Sequence, residues 1–141
     1  NLIPQIDNFV ESGDTKEEKK MIDETQKIFD CKIEVFATCV RVPVFVGHAE
    51  SIYIETKKKI DLKKLITKIK KFPGLSLVDE QIDGGYVTPD ESAGEDEVFI
   101  SRIRVRDSNK MSLWVVADNL RKGAALNSIQ IGELLIKKYM K

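Results

Sequence analysis

Cysteine, histidine, tryptophan and proline are all scarce in this chain. Its 141 residues hold two cysteines, one histidine, one tryptophan and four prolines. Two cysteines with no other metal-type ligands nearby supply neither a disulfide framework nor a zinc site, and they fit a reducing compartment. No apolar run approaches the roughly 20 residues of a membrane-spanning helix, and no secretory signal is visible. An excess of either charge is missing too: Lys and Arg together number 23, as do Asp and Glu. General nucleic-acid binders carry a clear basic surplus, so the balance argues against that class. There is no GxGxxG turn and no Walker loop. What is present, 42% hydrophobic and 33% charged residues, describes an ordinary globule of one-domain length. The chain begins "NLIPQID" without a methionine, and the expectation is a piece cut from a longer cytoplasmic protein.

The order of elements follows from periodicity and punctuation. Residues 1–13 read as an irregular entry containing Pro4 and Gly13. Thr15 and Glu18 have the spacing of a capping box, which predicts a helix over 15–29 with Met21, Thr25, Ile28 and Phe29 on one face. "KIEVFATCVRV" (32–42) alternates and is β-branched, so it reads as a strand. A turn holding Pro43 and Gly47 leads to a second strand over 48–56. Asp61 is placed to cap a helix whose Leu62, Leu65, Ile66 and Ile69 make an i, i+3, i+4, i+7 stripe. Pro73 and Gly74 end it before a strand over 75–79.

Residues 80–97 contain three glycines, one proline and seven acidic side chains, which predicts a long surface loop. In "EVFISRIRVR" (97–106), simple alternation places Phe99, Ile103 and Val105 on one face and Arg102, Arg104 and Arg106 on the other. Such an arginine row reads as an anion site or, more commonly, as a solvated or subunit-facing sheet surface. "MSLWVVAD" (111–118) is apolar on both faces and suits a central strand. From Asn119 the tail reads as one long helix. Its apolar residues cover more than one narrow stripe, so burial on two sides is expected.

Candidate chemistry gathers around "CVRVPVFVGH" (39–48), which holds the single histidine. A lone histidine at a strand start is usually a hydrogen-bonded bystander, but Arg41 changes the weighing. With the turn centred on residues 44 and 45, Arg41 and His48 face each other across a hairpin, with Cβ atoms roughly 5 Å apart. Two cationic groups there repel unless an anion lies between them or the imidazole is neutral. A guanidinium that clamps a carboxylate beside a neutral imidazole is the arrangement of a substrate site. Glu17 and Lys20 lie three apart on the first helix, and by themselves read as a solvated ion pair. Neither Cys31 nor Cys39 has an adjacent base or a Gly-rich elbow, so neither reads as a nucleophile.

Taken together, "NLIPQID", "TKEEKKMIDETQKI", "ATCVRVPVFVGHAESI", "DEVFISRIRV" and "WVVADNLRKGAALNSIQIGELL" make the chain resemble the C-terminal half of bacterial aspartate-semialdehyde dehydrogenase. The likeness runs almost from end to end, and only residues 57–96 match loosely. The segments "VRVPVFVGH" and "DNLRKGAALN" favour this family over the related N-acetylglutamyl-phosphate reductases.

The resemblance implies an α+β fold like the C-terminal domain of glyceraldehyde-phosphate dehydrogenase, with a mixed, largely antiparallel sheet and helices on one face. It implies one substrate-binding and dimerisation domain over residues 1–141. Within it, the 119–140 helix would pack on an N-terminal dinucleotide domain. The implied reaction interconverts L-aspartyl 4-phosphate and L-aspartate 4-semialdehyde, using NADP and a cysteine acyl-enzyme. Its nucleophile, an orienting glutamine and the main NADP site are expected outside these residues, so the piece alone should be inactive. The likeness places the acid/base histidine at His48 and the substrate-carboxylate arginine at Arg41. Glu17 falls at the contact to the substrate amino group, Lys20 at a phosphate contact, and Asn119 at the nicotinamide. No metal is implied. The partners implied are aspartate semialdehyde, phosphate and a second copy, as a homodimer or tetramer. The rival class is a non-catalytic amino-acid-binding or dimerisation module, which has no need for Arg41, His48, Glu17 and Lys20 to converge on one cleft.

Overall fold

Thr15 nucleates the first helix. In a computed structural model, which describes residues 1–140, its side chain accepts from Glu18 N, and its own N–H donates to Glu18 Oε2 at 2.7 Å. This reciprocal cap satisfies donors that a helix start leaves unpaired. Helix α1 spans Lys16–Phe29 and ends at Asp30 in the left-handed conformation, φ +49°. It belongs to the first of two compact units, Asn1–Pro43; the second begins at Val44.

The strand expected over 32–42 does not form. Among the described residues its only ladder contact is an isolated antiparallel bridge between Arg41 and Ile3. Alternation and β-branching favour extended backbone, but a strand also needs a partner along its length. Among the described residues no strand runs beside this segment, and Phe36 is left 98% exposed. The hairpin expected between Arg41 and His48 is absent for the same reason: Arg41 bridges Ile3, and the strand that begins at His48 pairs elsewhere.

In the second unit four strands make one mixed sheet. They are β1 (His48–Glu55), β2 (Leu75–Leu77), β3 (Val98–Arg106) and β4 (Lys110–Ala117), in the order β1-β4-β3-β2. β4 is central, as its two apolar faces predict, and pairs antiparallel with β1 and β3, while β2 joins β3 in parallel. Helix α2 (Leu62–Lys71) starts at Asp61, whose carboxylate accepts from Lys64 N at 3.0 Å. Its apolar stripe packs on the sheet. Ile69, Ile100 and Ile103 form the buried centre, with Leu65, Leu75, Leu77, Met111, Leu113 and Val115 around them.

Ile100 and Ile103 share that core although they are an odd number of residues apart. A β-bulge permits it: Ser101 is opposite Trp114 and Arg104 opposite Ser112, so β3 carries one residue more than its partner. Arg102 takes φ +57° there, and Asp79 accepts from the N–H groups of Arg102 (2.7 Å) and Ile103 (3.2 Å). The face assignment from simple alternation therefore needs correcting. Phe99, opposite Val116, lies on the other face from Ile103, together with Arg104 and Arg106.

The acidic stretch 80–97 is only partly a surface loop. It contains a short helix, α3 (Pro89–Ser92), and buries Val87 and Ser92. The Trp114 indole N–H donates to Val87 O at 2.9 Å, and Val87 N–H donates to Ser101 Oγ at 3.3 Å. These bonds draw the loop over the sheet face opposite α2. At the C-terminus the expected continuous helix opens with a wider turn. Residues Arg121–Ala125 are π-helical, with Gly123 N–H donating to Asp118 O at 3.2 Å, and only then does α4 (Leu126–Tyr139) begin. No residue of α4 is buried, and Ile129, Ile131 and Leu134 are all more than half exposed. Among the described residues no helix is long and apolar enough to cross a membrane.

Candidate functional site

Glu17, Lys20 and Arg41 lie in the first unit, and His48 and Asn119 in the second. On α1, Lys20 Nζ and Glu17 Oε1 form an exposed ion pair at 3.5 Å, which is what their spacing alone predicts. Such pairs add little stability and leave both charges available to solvent. Arg41 is held through its backbone: its N–H donates to Ile3 O at 2.9 Å, and Ile3 N–H donates to Arg41 O at 3.1 Å. Two residues earlier, Cys39 N–H donates to Glu18 Oε1 at 2.8 Å. Glu18 thus uses one oxygen to cap α1 and the other to fasten the 39–41 segment to the same helix turn that carries Glu17. The N–H groups of Thr15 and then Cys39 hold its carboxyl below the usual glutamate range.

In the second unit His48 opens β1 opposite Ala117. Its Nε2 is 2.8 Å from Glu50 Oε1 on the same strand face. The hydrogen bond with His48 lowers the Glu50 pKa, against a smaller opposing effect of burial. Glu50 escaped the sequence reading. The signal was there, because residues two apart on a strand point to one side. A carboxylate on one ring nitrogen fixes the tautomer and aims the other nitrogen.

Asn119 follows β4. Its Oδ1 accepts from Gly47 N–H at 2.8 Å, joining the turn before His48 to the turn after Ala117. Gly47 has φ +112°, and a Cβ built there would stand 2.8 Å from Pro89 Cβ. Only glycine fits that position. The neighbouring Asp118 is 3% exposed. Gly94 N–H on Oδ2, and the Arg121 and Leu120 N–H groups on Oδ1, keep its pKa below the ordinary aspartate value despite burial.

Two shallow cavities indent the sheet face opposite α2. One, of about 250 Å³, is lined by Ser51, Tyr86, Arg102, Arg104 and Trp114 among others. The second, of about 390 Å³, is lined by Tyr53, Arg104, Arg106, Lys110 and Ser112. Neither includes His48 or Asn119, so the proposed chemistry and these hollows are separate features. Cys31 is exposed and Cys39 Sγ lies 3.4 Å from Met21 Sδ. No group of three or more metal-ligating side chains occurs among the described residues.

With this geometry in place, known proteins supply the comparison. Residues 1–122 match the model of the family described as semialdehyde dehydrogenase, dimerisation domain. The chain is 50% identical to the aspartate-semialdehyde dehydrogenase of Aquifex aeolicus over 98% of its length, and 46% identical to that of Bacillus subtilis over 97%. It spans 42% of the first and 41% of the second. Among solved structures it is similar to aspartate semialdehyde dehydrogenase II of Vibrio cholerae complexed with ASA. The TM-score there is 0.92 at 45% identity, covering 99% of this chain and 42% of that one. A probable aspartate-semialdehyde dehydrogenase from Pseudomonas aeruginosa superposes with TM-score 0.90 at 33% identity, covering 99% of this chain and 42% of that one.

Proposed function

Because this chain belongs to the semialdehyde dehydrogenase dimerisation-domain family, we propose that it is the substrate-binding and dimerisation part of an aspartate-semialdehyde dehydrogenase. In this reading residues 1–141 act as one functional domain. The whole enzyme interconverts L-aspartyl 4-phosphate and L-aspartate 4-semialdehyde with release or uptake of phosphate, through a cysteine contributed by the rest of the protein. NADP, when bound, supplies or accepts the hydride.

Each residue has a role that its chemistry suits. His48 moves the proton of the attacking thiol and returns one to the substrate oxygen, with Glu50 holding the ring. Arg41 grips the substrate carboxylate through a bidentate fork, which an ammonium cannot reproduce. Glu17 offers a charge opposite to the substrate ammonium, and Lys20 a point charge for phosphate. Asn119 spends Oδ1 on Gly47, which leaves its Nδ2–H donors for an acceptor such as the nicotinamide amide oxygen. That donor set fits a nicotinamide edge. The sequence has no Gly-rich dinucleotide turn, so the remainder of NADP belongs on other parts of the enzyme.

The observation that carries this reading is the Gly47–Asn119 hydrogen bond. It fastens the turn ahead of the proposed acid/base to the residue proposed at the cofactor. The open sheet face around Tyr53, Arg104 and Arg106 serves as the homodimer surface, α4 packs on the dinucleotide domain, and the enzyme works in the cytoplasm. The test is His48→Ala in the full-length enzyme, where kcat should fall by on the order of 10²–10⁴-fold. Near-normal turnover would remove His48 from the mechanism and favour a non-catalytic binding module.

A further inference from the structure

Asp118 has no part in the chemistry proposed above, yet its carboxylate is one of the most heavily committed groups in the second unit. It is 3% exposed. Oδ1 accepts from Leu120 N–H at 2.7 Å and Arg121 N–H at 3.0 Å, and Oδ2 accepts from Gly94 N–H at 2.8 Å. The backbone carbonyl of the same residue takes Gly123 N–H and so opens the π turn. Single wide turns of this kind are rare and concentrate at functional sites. Arg121 adds a second tie, because its Nε donates to Asp96 Oδ1 at 2.7 Å. Three backbone donors and one ion pair therefore fix where β4 ends, where the C-terminal helix begins and where the 93–97 loop lies.

Asn119 is the residue enclosed by that arrangement. Its neighbour on one side is Asp118, and the N–H of its neighbour on the other is bound by Asp118. With its backbone held on both sides, its side chain reaches Gly47 N–H, one residue before His48. Gly47 in turn lies so close to Pro89 that no larger residue fits, and Pro89 starts the short helix of the segment whose far end, Gly94, is bound to Asp118. The connections close a ring: Asp118 to Gly94, back along the loop to Pro89, across to Gly47, and through Asn119 to Asp118.

We propose that Asp118 is a positioning residue for the proton-transfer site, setting Asn119 and, through it, the turn that presents His48. The proposal rests on the roles given above to His48 and Asn119. It predicts coupling at a distance from the substituted atom. Asp118→Ala frees all three N–H groups at once. Asp118→Asn keeps one acceptor oxygen, which can hold Leu120 and Arg121 but not also Gly94, since an amide nitrogen cannot accept.

The experiment pairs kinetics with hydrogen–deuterium exchange on the full-length enzyme. Asp118→Ala should lower kcat by on the order of 10–10²-fold, as a modest misplacement of reacting groups does. It should leave KM for aspartate semialdehyde nearly unchanged and speed exchange in peptides covering 44–50 about 10-fold through local opening. Asp118→Asn should recover kcat to within several-fold of wild type and restore protection at 44–50, while exchange at 93–97 stays fast. A general loss of stability would not divide the two segments in this way. If the alanine variant does not fold, Asn119→Ala should open 44–50 alone. Wild-type exchange at 44–50 in a folded Asp118→Ala or Asn119→Ala protein overturns the proposal. A failed His48→Ala test removes the catalytic reading but leaves the exchange result to decide the positioning.

Discussion

His48 and Glu50 meet at 2.8 Å on one face of β1, and each constrains the other. The bond with His48 is what depresses the Glu50 pKa. Because a lowered carboxylate pKa means a preferred anion, the pairing is complete above the ordinary glutamate range. It is lost as pH falls through the lowered value. Glu50→Gln removes the negative charge without changing the shape. The kcat should then fall by on the order of 10-fold, because the amide holds the ring less firmly, and the difference from wild type should shrink as acid protonates Glu50 in the native enzyme. Wild-type kcat across this range would mean that Glu50 does not hold the imidazole.

Arg41→Lys keeps a positive charge at position 41 but gives up the planar fork. KM for aspartate semialdehyde should rise by about 10-fold or more, with a smaller change in kcat. Steady-state kinetics at fixed NADP separates the two effects, and a pure kcat defect would assign Arg41 a different task.

Gly47→Ala adds one methyl where φ is +112° and Pro89 Cβ would stand 2.8 Å away. Either Pro89 or the turn must move. The variant should fold but lose at least about 1 kcal/mol of stability, and kcat should fall more than KM rises. Denaturant melts beside kinetics test this, and unchanged values for both would show that the turn has slack.

Glu18 ties Cys39 to the helix start, and backbone N–H groups from Thr15 and Cys39 lower its pKa. Its contribution is intact at neutral pH and fades as acid protonates the carboxylate below the usual range. Glu18→Gln has one acceptor oxygen for two donors. Exchange at 37–41 should therefore be faster in the variant at pH 7, with the difference from wild type shrinking in acid. A constant difference across pH would contradict the assignment.

Much of this was legible in the sequence. Thr15, Glu18 and Asp61 announced two helices because caps are local chemistry, and the two-faced apolarity of 111–118 placed β4 in the centre. The failures share one origin. Arg102 at positive φ depends on Asp79, more than twenty positions earlier, so the bulge leaves no local trace. Segment 32–42 has strand composition but lacks a partner, which composition cannot reveal. The loop 80–97 looked solvent-bound until Trp114 and Ser101 supplied bonds that draw it inward. At the site, the sequence and its family likeness singled out residues with reactive groups. Of the carboxylates that hold them, Glu18 reads in the sequence only as a helix cap, and Glu50 and Asp118 sit inside strand segments with no motif that marks them.

The extra residue in β3 works like a reading frame. Upstream of it, even-numbered side chains (Val98, Ile100) face α2; downstream, odd-numbered ones do (Ile103, Val105), with Arg104 and Arg106 turned away. Exchanging one side chain for another leaves this grammar intact. Deleting Arg102 would leave it intact too, because Ser101, Ile103 and Arg104 would then stand opposite Trp114, Leu113 and Ser112 in an unbroken ladder, and every later residue would keep its side. What would go is the bend and the tie to Asp79. The numbering changes parity at Arg102 so that the faces do not have to.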